Sequence, residues 1–252
     1  MHSPDRVSDV LELRTQGLGA RRIARRTGLP LSTVSDWVAG QLPRSYRPGT
    51  HGCSVCGGAA HIPGELPYDY IYLLGLYLGD GSISRHPRDV FKLRVFLDRK
   101  YPAIVAECAK AMQAVAPRNK VNHFLTVSNC FEVFAFSKSW PCLFPQHGPG
   151  MKHEREIKLL PWQRDLARVG PELLLRGLIQ SDGCRFTNTR GKSDTWSAPR
   201  YGFSNRSEGI KQIFCDACDQ LGLHWTTAGK YVINVSRAKD VAALDRFVGP
   251  KY

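Results

Sequence analysis

Long apolar runs are missing from this 252-residue sequence. The longest, Tyr70 to Gly79, is too short to cross a bilayer and ends on Asp80. The opening residues, Met1-His2-Ser3-Pro4-Asp5-Arg6, lack the apolar core of a secretion signal. These absences exclude the membrane-bound and secreted classes, so a cytoplasmic, nucleoid-associated location is expected. No phosphate-cradling glycine loop, nucleophile elbow or haem-attachment motif occurs. His153-Glu154-Arg155-Glu156 lacks the second histidine, four residues after the first, that a zinc protease needs. Acid is scarce too: 22 Asp and Glu stand against 35 Lys and Arg, a net charge of +13. A surplus of that size calls for a polyanionic partner, DNA or RNA by default. Cysteine is not scarce, but eight in a chain this long without a secretion signal read as reduced thiols, not a disulfide scaffold.

Residues 1–67 contain no lysine; eight arginines face five acids there, a net of +3. Residues 68–252 hold 27 basic and 17 acidic side chains, a net of +10, so most of the electrostatic footprint belongs to the larger part. Between the two, Gly40 to Pro67 carries Pro43, Pro48, Gly49, Gly52, Gly57, Gly58, Pro63 and Gly64 with no helical or alternating pattern. The expected organisation is a small all-α domain over 1–42, a linker over 43–66 and an α+β domain over 67–252. The linker holds Cys53-Ser54-Val55-Cys56 with His51 and His61 nearby. A zinc knuckle needs four ligands, so both histidines would have to join the single Cys-x-x-Cys pair. Cys215 and Cys218, at helical spacing in an apolar segment, read as core thiols.

The first 42 residues predict three helices. Val7, Val10, Leu11 and Leu13 stripe the first, Arg21–Thr27 forms the second, Gly28-Leu29-Pro30 turns the chain, and Ser32–Val38 forms the third. This resembles the helix-turn-helix of bacterial regulators and recombinases: small Ala24 permits a close crossing, Gly28 bends the chain, and Val34 and Trp37 anchor the recognition helix. The resemblance implies that Ser32, Thr33, Ser35 and Asp36 face the major groove while Arg21 and Arg22 lie near phosphates. The plainer reading is a helical bundle with a solvated basic face.

The larger part contains a repeat. Leu74-Gly75-Leu76-Tyr77-Leu78-Gly79-Asp80-Gly81 and Arg176-Gly177-Leu178-Ile179-Gln180-Ser181-Asp182-Gly183 share one pattern: Gly, a small residue four later, then Asp-Gly. Each follows a proline suited to a helix start, Pro67 and Pro171. Downstream, Asp98-Arg99-Lys100 and Asn205-Arg206-Ser207 occupy equivalent strand-to-helix junctions, and Phe136-Ser137-Lys138 and Val235-Ser236-Arg237 both end strands. Small side chains one turn apart let two helix backbones approach, and parallel packing then brings both C-termini to one floor. Gly81 and Gly183 are expected to take the left-handed cap conformation.

With both copies in matching contexts, residues 68–252 resemble the LAGLIDADG homing endonucleases in their single-chain, two-motif form. The resemblance implies two pseudo-symmetric αββαββα halves, about 67–150 and 165–252, forming a saddle-shaped DNA-binding sheet. It also implies a monomer that makes double-strand breaks in DNA by metal-dependent hydrolysis, one aspartate per half. The first acidic position of the family signature is Leu78 in one copy and Gln180 in the other; the acid before the last glycine is present in both. Asp80 and Asp182, with Gly79 and Ser181, are the implied holders of Mg²⁺ or Mn²⁺, which also relieves the repulsion between two adjacent carboxylates. Lys138 and Arg237, and Arg99 and Arg206 (or Asp98 and Asn205), are the implied organisers of water and phosphate.

Strand alternation adds DNA-contact candidates: Lys92 and Arg94 share a face opposite Phe91, Leu93 and Val95. Arg85, Arg88, Lys120, Asn122, Arg185, Asn188, Arg190, Arg200 and Lys230 complete the set. Without catalysis, the two aspartates read as helix C-caps and the strands as a solvated sheet. A second functional reading is a regulator that keeps the nuclease fold without its activity; a third is an RNA maturase. The absence of a splicing nucleophile at the start and of a His-Asn pair at the end makes a freestanding or intron-encoded protein the expectation, not an intein.

Overall fold

The computed structural model describes residues 4–43, 66–189 and 197–249. The chain divides into two compact units, Met1–Gly64 and Glu65–Tyr252. Cys53, Cys56, His51, His61 and Arg190 lie outside the described residues.

In the first unit, α1 (Pro4–Thr15), α2 (Ala20–Thr27) and α3 (Leu31–Val38) enclose Val7, Val10, Ile23, Leu29, Val34 and Trp37. Gly28 ends α2 in the left-handed region (φ 68°, ψ 16°), which a side chain would strain, and its N–H donates to Ala24 O at 3.0 Å. The chain can thus reverse within three residues and bring Val34 and Trp37 back onto Ile23. Arg21, Arg22, Arg25 and Arg26 remain exposed, as do Ser32, Ser35 and Asp36.

The second unit runs twice through one order. The first pass is α4 (Asp69–Asp80), β1 (Gly81–His86), β2 (Val90–Asp98), α5 (Pro102–Val115), β3 (Val121–Leu125), β4 (Cys130–Ser137) and the short α6 (Trp140–Leu143). After α7 (Pro161–Val169), the second is α8 (Pro171–Asp182), β5 (Gly183–Thr189), β6 (Ser197–Ser204), α9 (Glu208–Gln220), β7 (Trp225–Thr227), β8 (Val232–Val235) and α10 (Ala238–Val248). The sheets are antiparallel and ordered β1-β2-β4-β3 and β5-β6-β8-β7, so strand positions correspond one to one. Among the described residues no helix is long and apolar enough to cross a membrane.

Period-two patterning sets each sheet's two faces. In β2, Leu93, Val95 and Leu97 are buried while Lys92, Arg94 and Phe96 alternate with them, half-buried. The buried set, with Val133 and Ala135 of β4, lies on the face that α4, α5 and α6 cover. Helix α4 is buried at every position from Tyr70 to Leu78 and therefore cannot be amphipathic.

Buried polar groups brace the junction between passes. Tyr70 Oη donates to Leu143 O (2.6 Å), Gln163 Nε2 donates to Tyr70 Oη (2.7 Å), and Gln146 Nε2 donates to Gln163 Oε1 (2.6 Å) and Lys158 O (2.8 Å). Gln163→Leu removes a donor and an acceptor from this network and leaves the Gln146 amide with Lys158 O alone. The expected loss is about 2 kcal/mol, seen as a lower urea midpoint. An unchanged midpoint would show that the network is dispensable. Gln180 bridges α8 to its neighbours similarly: Tyr72 Oη donates to Gln180 Oε1, and Gln180 Nε2 donates to Val248 O.

Candidate active site at the paired helix ends

Helices α4 and α8 meet main chain to main chain. A Cβ placed on Gly75 would lie 2.6 Å from Leu174 O and 2.9 Å from Gly177 Cα; one on Gly177 would lie 2.9 Å from Gly75 Cα and collide with Tyr72 O. One turn later Gly79 faces Ser181, and a Cβ there would come within 3.0 Å of Asp182 Oδ2. Gly75 against Gly177 and Gly79 against Ser181 set the helices in register and in one direction, so both end at the same level, on Asp80 and Asp182, each half-buried.

The glycines after the aspartates depart from expectation. Gly81 (φ −90°, ψ 153°) and Gly183 (φ −106°, ψ 170°) are extended, not left-handed, and lead straight into β1 and β5. Glycine is needed there for space: a Cβ on Gly81 would sit 2.5 Å from Tyr77 Cα, and one on Gly183 2.8 Å from Ile179 Cα.

Lys152, in the connection between the passes, reaches this site unforeseen. Its Nζ donates to the carbonyls of Tyr77, Leu78 (2.9 Å) and Gly79 (2.9 Å), capping the negative end of α4. Burial lowers its pKa to about 8; the Asp182 and Asp80 carboxylates resist that fall, while Arg155 adds to it. Nothing local in sequence marks the position, because its partners lie more than 70 residues away.

Asn205 Nδ2 donates to Asp182 Oδ2 at 2.6 Å. Its counterpart Asp98 keeps the same local turn: Lys100 N donates to Asp98 Oδ1 (2.9 Å) as Ser207 N does to Asn205 Oδ1 (2.7 Å). A carboxylate there cannot donate to Asp80, so the two halves differ chemically at equivalent places. Arg206 is exposed and Arg99 is held by Asn129, 3.2 Å from its Oδ1. A cavity of about 470 Å³ opens beside the helix ends, lined by Gly79, His147, Lys152, Asp182, Asn205 and Arg206 among others. Burial, reinforced by Arg155, lowers the His147 pKa. A larger groove of about 1110 Å³ between residues 156–159, α7 and α9 is lined by neither aspartate.

Other expected residues fall elsewhere. Gly81 shares a rung with Val95 and Val133, whereas Lys138 follows Ser137, four residues along β4 and roughly 13 Å away at 3.3 Å per residue. Arg237 likewise follows the end of β8, beyond the Gly183–Phe203–Ile233 rung. Strand parity separates the expected DNA contacts. Lys92, Arg94, Asn122, Asn188 and Arg200 share the open faces, and Lys120 and Lys230 flank β3 and β8. Lys92 pairs with Glu132 there. Arg85 and Arg185 have the opposite parity, and Arg185 pairs with Asp245 of α10 (2.8 Å) while Arg85 and Arg88 stay exposed near Asp89, which pairs with Arg85.

Two hard carboxylates at converging helix ends fit a divalent ion such as Mg²⁺, which uses one or two carboxylates and keeps several waters. Gly79 O accepts from Lys152, the Ser181 hydroxyl donates to Gly177 O (2.9 Å) and Leu178 O (3.0 Å), and Asp182 Oδ2 accepts from Asn205 (2.6 Å); each of these oxygens keeps a lone pair that an ion could use. Among the described residues no cluster of three or more His, Cys, Asp or Glu could hold a metal.

No protein-family description and no curated protein matches the sequence. Solved structures do. The homing endonuclease I-DmoI in complex with DNA and Mn is similar at 14% identity and a TM-score of 0.47, over 73% of this chain and 98% of that one. I-WcaI bound to its DNA recognition sequence matches at 14% identity and 0.45, over 73% and 81%. The LAGLIDADG meganuclease I-AabMI bound to uncleaved DNA matches at 11% and 0.44, over 71% and 82%.

Proposed function

We propose that this protein is a site-specific double-strand DNA endonuclease, acting as a monomer that hydrolyses phosphodiesters with one aspartate per half. The observation that carries the reading is the placement of Asp80 and Asp182 side by side at the ends of two helices in main-chain contact. Such a contact fixes the carboxylates without relying on flexible side chains. Around them, Lys152 offers a half-buried ammonium, Asn205 fixes the rotamer of Asp182, and Arg206 at the cavity rim attracts phosphate. A divalent ion held by the two aspartates would supply positive charge at the scissile phosphate and acidify a bound water. No covalent nucleophile is needed. The open faces of the two sheets, within a region of net charge +10, are the proposed duplex-binding surface. The helical unit 1–42 is proposed to add an outer contact through Arg21, Arg22, Ser32, Thr33 and Ser35.

The test is incubation of the purified chain with Mg²⁺ and a library of long duplexes. Discrete double-strand cuts are expected, and EDTA should stop them. A protein that binds duplex DNA tightly yet cuts nothing would remove the nuclease assignment. A second reading, a transcription regulator with the same fold, is favoured by Lys152, whose ammonium already places a cation beside both aspartates. That reading expects a specific DNA complex indifferent to Mg²⁺ and to both carboxylates.

A further inference from the structure

The open face of the first sheet is more apolar than a surface meeting a polyanion needs to be. Residues directly opposite on antiparallel strands share a face. By register, Ser84–Lys92–Phe136, Ser82–Arg94–Phe134–Asn122 and Phe96–Glu132–Phe124 form three successive rungs on the side away from the helices. Four phenylalanines therefore occupy positions where hydrogen-bonding side chains would read base edges. Phe124 is 46% and Phe136 38% exposed. The matching rung of the second sheet carries Cys184, Gly202, Asn234 and Thr226. The two halves thus offer different chemistry to the same kind of surface.

The cations on this face are tied to neighbours on the same face. Lys92 pairs with the buried Glu132 and stands 4.1 Å from the Phe134 ring centre, while Arg94 Nε donates to Ser82 Oγ at 2.9 Å. Positive charge is kept at the rim, where Lys120 and Lys138 are exposed at the end of the sheet that carries Phe136. That distribution suits phosphates outside and apolar groups within. The rings also stand edge to face: Phe124 to Phe134 at 73°, Phe134 to Phe136 at 89°, and His86 to Phe136 at 86°. Such a cluster offers no flat platform on which an unpaired base could stack. It offers ring edges and a relief of apolar C–H groups, which is what a methyl group packs into. In the major groove of duplex DNA the apolar group is the C5-methyl of thymine.

The geometry points to thymine methyl recognition: the first sheet reads its half of a duplex target by packing Phe124, Phe134 and Phe136 against thymines, so that half-site is T-rich. The inference rests on the proposed duplex-binding surface but not on cleavage. The test takes the tightest duplex recovered by the full-length chain from a random pool of 30-base-pair DNA. It is resynthesised with deoxyuridine for thymidine in one half or the other, which removes only the methyls. Binding is read by fluorescence polarisation. Each methyl is worth about fourfold in affinity when fully buried, so uridine in one half should weaken binding about tenfold or more, and in the other half hardly at all. Phe136→Ala and Phe124→Ala, both at exposed positions and checked by thermal melts, should erase that difference; Phe186→Ala, on the second sheet, should not. Three outcomes overturn the inference alone: a recovered duplex insensitive to uridine in either half, a loss that persists in both phenylalanine variants, or tighter binding of the corresponding single strand. Recovery of no duplex at all overturns the DNA-binding reading together with it.

Discussion

Asp80→Asn should lower double-strand cleavage by about 10³-fold while leaving DNA affinity unchanged or slightly raised, and Asp182→Asn should do the same. The rate falls because removing a carboxylate from a fixed electrostatic site removes stabilisation of charge that develops only in the transition state. The sign of the binding change follows from charge: each substitution removes a negative group from beside a bound phosphate. Asp182→Asn also disturbs an identified contact, because Asn205 Nδ2 would meet an amide where it now meets a carboxylate oxygen. If the parent cuts and Asp80→Asn cuts equally fast, the chemistry resides elsewhere. Polarisation binding and plasmid linearisation, run on the same preparations, separate these cases.

Gly177→Val should unfold the second unit or destabilise it by about 3 kcal/mol or more, a large share of the roughly 5–15 kcal/mol that holds a domain. Overpacking is normally relieved when side chains swing aside. Here the obstacles are Tyr72 O, Gly75 Cα and Leu76 N, which move only if whole helices separate. Separation would expose the apolar face of α4 to water. By contrast, a side chain on Gly79 meets the Ser181 side chain first, and one on Gly19 meets nothing within 4 Å. The expected order of damage is Gly177→Val, then Gly79→Ala, then Gly19→Ala, read as urea midpoints. A Gly177→Val protein melting within a few degrees of the parent would show that the helices are not in main-chain contact.

Much of the architecture was legible because it is local and repeated. The small-residue spacing in 74–81 and 176–183, the alternation at 91–95 and the junctions at Asp98 and Asn205 each depend on a few neighbouring residues. Duplication doubles the signal. Gly81 and Gly183 are extended where the sequence suggests a left-handed cap, because a glycine after a helix has two uses; conformational freedom at positive φ and lack of volume look alike in sequence. Charge alone groups Arg85 and Arg185 with Lys92 and Arg94, because it carries no parity. A one-residue step along β1 or β5 moves a side chain to the opposite face. Lys138 and Arg237 come from the resemblance alone, and the ladder register sets each beyond the rung of the glycine that follows the aspartate, at the far end of its strand. Lys152 was invisible for a different reason: a lysine in a connecting segment gains meaning only when the chain folds back onto helix carbonyls.

The touching of Gly75 and Gly177 has a bearing on how such a molecule changes over generations. A joint built of peptide backbone has no spare vocabulary: neither glycine can be exchanged for a larger residue and then rescued by a smaller one opposite. Substitutions at the outer strands can alter one sheet without the other, whose open faces already differ, whereas the common spine admits none. The two open faces can change one at a time, while the joint between the halves tolerates no change on either side.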